Sequence, residues 1–354
     1  MKKKIVLYQS SPRIRLYKYS KLFSNMGHEV SCFYVDQDFS LNYDGLDLSH
    51  FKEIKKIKEI NNLNDFLEFD YIFVIDLVCI RGVIQSLVKY NLNINFLVGD
   101  VWFLRKAYEK NGDIKFKTNS FYNSEIEVLK KYAFNKFVFS GNYLRNSISD
   151  ALKIPNLKKS LVIKNTNFRE WINKNNFKEK LSEKDSKYHI VYVGGVTKKI
   201  EIHHRNLFDS FDQITQKDFI CLHVYPTNHL CDDYPQKKNI IYHERCPVHL
   251  LIPEISQYDF GLITFNLNMD DSWYINISEP NKLYDYTFAK LPIICNDVKS
   301  YREIIENNNL GECFKDLSKL TEKKLDKIKE KYNFNYNFNT FNDYETSLSK
   351  QFFQ

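Results

Sequence analysis

The sequence predicts an α/β protein built from two doubly wound parallel sheets in tandem. Three observations predict it. Short apolar runs alternate with segments of helical spacing, the pattern of strands covered on both faces. The alternation stops at a polar, charged stretch over residues 171–187 and then restarts. The chain has 354 residues, a length that suits two domains of ordinary size.

The elements follow in order. Residues 4–9 read as a buried strand, and residues 13–26 have helical apolar spacing that Gly27 ends. Residues 29–35 form a second strand. The Lys-rich run 51–60 suits either a basic amphipathic helix or an edge strand. Residues 71–77 and 94–98 are strongly apolar strands, and 137–140 and 161–163 complete the first series. After the polar stretch, residues 189–193 form a strand that ends in Gly194-Gly195. A helix over 207–214 and strands over 219–225 and 239–243 come next. They lead to a helix over 250–257, a strand over 260–265, a short helix after Pro280 and a strand over 291–295. A charged helix is expected over 315–331, an Asn/Phe/Tyr-rich connector over 333–342, and a last helix over 344–353. The expected organisation is a first domain over 1–170, a linker over 171–187, a second domain over 188–335 and a C-terminal helix over 336–354.

Composition narrows the function classes. Hydrophobic residues make up 43% of the chain, enough for sizeable cores. The seven cysteines are scattered, odd in number and without a C-x-x-C pair, which reads as reduced thiols of a cytosol. The apolar run after Met1-Lys2-Lys3-Lys4 is too short for a signal peptide, and no run is long enough to span a bilayer. The expected location is therefore cytoplasmic. A net charge of +7 favours anionic partners such as sugar nucleotides, pyrophosphate lipids or an anionic membrane surface. Acids dilute the basic residues nearly everywhere, which argues against a nucleic-acid track. The run 51–60 can rest peripherally on an anionic bilayer; a solvated face is the plainer reading.

The richest segment is Pro280-Asn281-Lys282-Leu283-Tyr284-Asp285-Tyr286, followed by Ala289-Lys290-Leu291-Pro292-Ile293-Ile294. It puts Lys282 on the first turn of a helix, where free backbone donors and the helix dipole already favour an anion. Asp285 lies on the same face and can accept hydrogen bonds from sugar hydroxyls. A phosphate plus a ribose points to a nucleotide. An amphipathic helix capped by Pro and leading to a strand explains the same residues without a ligand.

This segment resembles the donor-binding signature of GT-B glycosyltransferases, above all the bacterial enzymes that build surface polysaccharides from nucleotide sugars. The resembled pattern is Pro-x-Lys-Leu-(Tyr/Phe)-(Glu/Asp)-Tyr, then a small residue, Gly, any residue and Pro. Two positions depart from it: Lys290 stands for the Gly, and Ile277 for the first acid of a two-glutamate motif, with Glu279 the nearest acid. The resemblance implies two Rossmann-like domains facing each other across a cleft, with the C-terminal helix crossing back onto the first domain. It further implies sugar transfer from a nucleotide-diphosphate donor, UDP ahead of GDP, to a surface glycan or lipid-linked acceptor of a capsule or lipopolysaccharide. No cofactor or metal is expected.

The resemblance also distributes roles. Gly194 and Gly195 would face the donor phosphates, with Lys198, Lys199 and Arg205 as basic candidates. The loop Tyr242–Pro247 would hold the base, and Arg245 can stack on it; a strand-to-helix turn explains the loop equally well. Lys282 would neutralise the leaving diphosphate and Asp285 would bind ribose. Ser278, Glu279, Asn281 and Leu283 would lie near the donor, although Glu279 also suits plain first-turn dipole stabilisation. On the acceptor side stand Ser11, Arg13, Arg15, Asp76 and Asp100, all at ends of first-domain strands. Asp100 is the candidate base for an inverting reaction, and helix capping is an alternative for Asp76. Asp36-Gln37-Asp38 has the D-x-D form of metal-dependent transferases of another fold, but it comes too early in the chain for that use. The histidines, among them His203, His204 and His223, lack metal spacing and are expected in polar loops. Two other readings keep the fold: a nucleotide-sugar 2-epimerase, and a non-catalytic protein that binds glycans or partners.

Overall fold

A computed structural model describes residues 1–35, 43, 45–57, 63–77, 92–101, 103–104, 107–110, 113–116, 120–197, 204–227, 234, 237–267 and 272–354. The chain divides into two compact units. The first holds Met1–Asn165 and Thr340–Gln354, and the second holds Thr166–Asn339.

The first unit is built on β1 (Lys4–Tyr8), β2 (Glu29–Tyr34), β3 (Phe51–Lys56), β4 (Tyr71–Ile75) and β5 (Ile94–Val98). A hairpin of β6 (Ala107–Lys110) and β7 (Asp113–Phe116) precedes β8 (Phe137–Phe139) and β9 (Leu161–Val162). Seven strands pair in the order β3-β2-β1-β4-β5-β8-β9, every pair parallel. The Lys-rich run is thus an edge strand, since β3 ends the sheet with exposed lysines. Central β5 is buried at all five positions, which is why it reads as an unbroken apolar run.

The second unit repeats the plan with β10 (Tyr188–Gly194), β11 (Ile220–Pro226), β12 (Ile240–Tyr242), β13 (Phe260–Ile263), β14 (Ile293–Asn296) and β15 (Gly311–Phe314). Their order is β12-β11-β10-β13-β14-β15, again all parallel. In both sheets the chain starts in the middle, runs outward to one edge, and then crosses back to build the other. The reversal lies between β1 and β4 in one sheet and between β10 and β13 in the other. Loops at the carboxyl ends of such neighbouring strands diverge to opposite faces and leave room for a ligand.

Several expectations change. Residues 171–187 are part of the second unit rather than a free linker: Ile172, Phe177 and Leu181 pack on its core, and Lys180 donates to the carbonyls of Ser256 and Tyr258 at 2.8 and 2.5 Å. Their polar composition describes only the solvent side. The helices Asn142–Leu152 and Lys299–Asn307 and the strand β15 are additions to the elements expected from the sequence. The charged helix is confined to Glu322–Lys331, because the Thr321 hydroxyl caps it by accepting from the Lys324 N–H at 3.3 Å. The last helix is Glu345–Leu348 followed by one wider π turn over Ser349–Phe353. No helix of the described residues is long and apolar enough to cross a membrane.

Candidate functional site

The helix Asn281–Phe288 begins after Pro280, which occupies the extended cap position just before the first helical residue. Leu283, Tyr284 and Tyr286 fix it against the sheet, all at 0% exposure. Tyr286 is the pin. Its hydroxyl accepts from the Val193 N–H at 2.9 Å and donates to the Leu262 carbonyl at 3.0 Å, bridging β10 and β13. Gly261 makes room for its ring; a Cβ there would stand 2.3 Å from it.

This anchoring carries Lys282 to the point where the strand order reverses. Its Nζ lies 3.7 Å from the centre of the Tyr192 ring and 5.4 Å from that of Phe265. Tyr192 belongs to β10, and Phe265 follows β13. Gly194, at φ +144°, keeps this approach open, since a Cβ would sit 3.1 Å from Nζ in a backbone conformation that L side chains rarely adopt. Among the described residues the Lys282 ammonium has no hydrogen-bond acceptor, yet the side chain is buried. Burial pushes its pKa well below the ordinary value; Arg205 adds to this and Asp285 opposes it. A buried cation beside ring faces and without an acceptor is a place for an anion.

Arg205 stands at the neighbouring glycine: a Cβ on Gly195 would meet its Nη1 at 2.8 Å. Asp285 is buried one turn along from Lys282 and accepts from Asn167 Nδ2 at 2.6 Å. Glu279 accepts from the Tyr284 hydroxyl at 2.5 Å. The Ser278 hydroxyl donates to the Ile275 carbonyl at 3.1 Å, and Asn281 is exposed at the helix start. Leu283 is core and offers no polar atom, so its part is packing. Ile277 is buried at the position of the resembled first acid, so Glu279 is the acid of this segment. Arg245 is exposed in the loop after β12, and Lys198, Lys199 and His203 lie outside the described residues, as do Asp36 and Asp38. Asn167, Tyr192 and Phe265 carry no local sequence signal. Their distance from Lys282 along the chain hides them.

Lys290 resolves its own departure from the resembled glycine. Its φ is +60°, and the Leu291 N–H donates to the Tyr286 carbonyl at 2.9 Å, the geometry of a left-handed helix stop. Lys290 Nζ also donates to the carbonyls of Phe334 and Tyr336 and to Asn337 Oδ1, at 2.8, 3.2 and 2.9 Å. The side chain that a glycine lacks ties down the connector.

In the first unit the corresponding strand ends gather other charges. Asp76 follows β4 at φ +61°, a conformation that costs a non-glycine residue of order 1 kcal/mol. It accepts from Arg15 Nη1 at 2.9 Å, the Gly99 N–H at 3.2 Å and Gln9 Nε2 at 3.2 Å. Asp76 is thus a clamp across the ends of β1, β4 and β5, and it does not cap a helix among the described residues. Burial raises its pKa and Arg15 opposes the rise. Gly99 leaves room for the guanidinium: a Cβ there would stand 1.2 Å from Arg15 Nη1 and push it off Asp76. Arg13 is exposed, its backbone N–H donating to Gln9 Oε1 at 3.0 Å; Ser11 and Asp100 are half-buried beside this cluster. His223 contradicts its expected polar loop: it is 3% exposed in the middle of β11. His204 is half-buried in a turn.

Residues 190–353 match the family model of the glucosyltransferase 3-like C-terminal domain. No curated protein matches the chain. Among solved structures, the chain is similar to sucrose-phosphate synthase of Thermosynechococcus elongatus, with a TM-score of 0.63 at 10% identity over 99% of both chains. It is similar to HepE of Anabaena in complex with UDP, with a TM-score of 0.59 at 10% identity over 99% of this chain and 96% of that one. A putative UDP-N-acetylglucosamine 2-epimerase of Listeria monocytogenes gives 0.52 at 11% identity over 100% and 98%. At such identities the structural likeness shows the fold alone. That fold is GT-B, and the resemblance to bacterial glycosyltransferases holds both in architecture and, over the second unit, in sequence.

Proposed function

We propose that the protein transfers a sugar from a nucleotide-diphosphate donor, UDP ahead of GDP, to a glycan or lipid-linked acceptor of the bacterial surface. The observation that carries this reading is Lys282: a buried ammonium without an acceptor among the described residues, at a helix start, at the reversal point of a parallel sheet. A diphosphate supplies the missing acceptor. Lys282, the positive end of the helix Asn281–Phe288 and Arg205 would then stabilise charge on the departing diphosphate. Fixed positive groups aimed at developing charge are usually the strongest single source of rate enhancement in such a reaction. Asp285, held by Asn167 and one helical turn from Lys282, would accept from ribose hydroxyls. Glu279, held by Tyr284, would face the sugar, and Arg245 the base. The scheme calls on no metal. Asp100 would serve as the base of an inverting reaction, with Ser11 and Arg13 as its acceptor-side neighbours.

A thermal-shift screen against nucleotide sugars tests the donor site, because a ligand that binds only the native state raises its stability by mass action. One UDP-sugar should raise the midpoint in the parent chain, and Lys282→Ala and Asp285→Ala should abolish the rise while leaving the fold intact. Equal responses from parent and variants would refute the donor-site assignment. Incubating the donor without an acceptor separates the chemistries: an epimerase would convert it, whereas a transferase would leave its sugar unchanged.

A further inference from the structure

A second cluster lies in the same unit, at the opposite end of the sheet from Lys282. His189 is the second residue of β10, and it pairs in register with Cys221 of β11. His223 follows Cys221 by two residues and so shares its face. All three are buried, at 6%, 8% and 3% exposure. One ligand atom from each lies within 4.8 Å of the other two. His189 Nδ1 and His223 Nε2 point at each other at 2.8 Å. The Cys221 thiol makes no hydrogen bond among the described residues.

The outer ring nitrogens are also held. His189 Nε2 lies 2.9 Å from Asp185 Oδ1, and His223 Nδ1 lies 2.9 Å from His243 Nε2. Two imidazoles whose far nitrogens are anchored and whose near nitrogens converge, the first by a carboxylate, have the outer-shell arrangement of metal-ligating histidines.

We propose that His189, Cys221 and His223 form a zinc site. Imidazole and thiolate are the ligand types that Zn2+ prefers, and three protein ligands leave one position of a tetrahedron for water. Tetrahedral coordination at ordinary Zn–N lengths sets two nitrogens roughly 3.3 Å apart. The pair at 2.8 Å therefore needs to open by about half an ångström. On binding, His189 Nε2–H donates to Asp185 and His223 Nδ1–H donates to His243. Cys221 binds as the thiolate and its proton passes to solvent. The dication and the thiolate leave one positive charge, which Asp185 balances. Asp185 is 45% exposed at its side chain, so the cluster lies near an edge that an ion can reach. Through His243 the ion would fix the start of the loop after β12. The ion would take no part in sugar transfer, since the cluster is at the amino end of β10 and the donor site at its carboxyl end.

The full-length chain, stripped with a chelator and gel-filtered, is titrated with Co2+ and then Zn2+. The expected result is one equivalent of Co2+, with ligand-field bands of a four-coordinate ion and a near-ultraviolet sulfur-to-cobalt band. Zn2+ should displace it and raise the thermal midpoint. Cys221→Ser should remove the sulfur band, and His223→Gln should weaken affinity by about tenfold or more, with circular dichroism unchanged in both. Cys295→Ser, at the thiol pair Cys295–Cys313 of β14 and β15, should keep the band. Failure of the parent chain to retain Co2+, survival of the band in Cys221→Ser, or its loss in Cys295→Ser would overturn the proposal.

Discussion

At the carboxyl ends of the first sheet, Arg15 meets Asp76 at 2.9 Å; at the same topological place in the second sheet, Lys282 meets ring faces and Gly194. Both units have the same strand order, and both bring a cation from a helix to the reversal point. In the first unit the cation is neutralised by a carboxylate that also accepts from Gly99 and Gln9. In the second, among the described residues, no carboxylate accepts from it, and Asp285 offsets its charge only from nearby. The first arrangement holds three strand ends together. In the proposed reading, the second keeps a charge in reserve for a ligand.

Breaking the first arrangement should have the largest effect on stability. Arg15→Met leaves Asp76 buried without its cation, and about 3–5 kcal/mol should be lost in chemical denaturation. The sign with pH is defined. Burial already raises the Asp76 pKa, and loss of Arg15 raises it further. A carboxyl whose folded pKa exceeds its unfolded value destabilises most above the folded value. The deficit of the variant should therefore be greatest at neutral pH and shrink as pH falls toward the usual carboxylate range.

Tyr286→Phe should come next. It strands the Val193 N–H and the Leu262 carbonyl, and about 1–3 kcal/mol should be lost in denaturant titrations. It should also weaken donor binding, because Tyr286 seats the helix that carries Lys282. Lys290→Met should cost about 1 kcal/mol, as three partly exposed hydrogen bonds to the connector disappear. Limited proteolysis should then cut within 333–339 sooner than in the parent.

Lys282→Met should have the smallest effect on the free protein, and of opposite sign: stability unchanged or raised. Its folded pKa lies below the unfolded value of 10.5, so protonation opposes folding. The parent should gain stability as pH rises through the window between those two values, and the variant should lack that gain. A thermal-melt series across alkaline pH measures the difference.

Much of this fold is legible in the sequence for a physical reason. Strands covered on both faces, such as Ile94–Val98 and Ile220–Pro226, leave largely apolar runs, and these mark the two sheets. Short or half-exposed strands leave none, which is why β15 passes unnoticed. The Lys282 and Asp285 pair is legible because both sit on one helix. Asn167, the partner of Asp285, is 118 residues away, and no local pattern reports it. The His189, Cys221 and His223 cluster is hidden likewise, since it exists only through the register of β10 with β11. The alternation Cys221-Leu222-His223 inside a strand is the one local sign. Lys290 teaches the converse: a position that departs from the resembled glycine still adopts the backbone that glycine would take.

The central claim is that Lys282 waits for a diphosphate. Isothermal calorimetry with UDP measures this directly, run on the parent chain and on Lys282→Met. The account predicts binding to the parent and its loss in the variant at undiminished stability. Equal affinity in the two chains would contradict it.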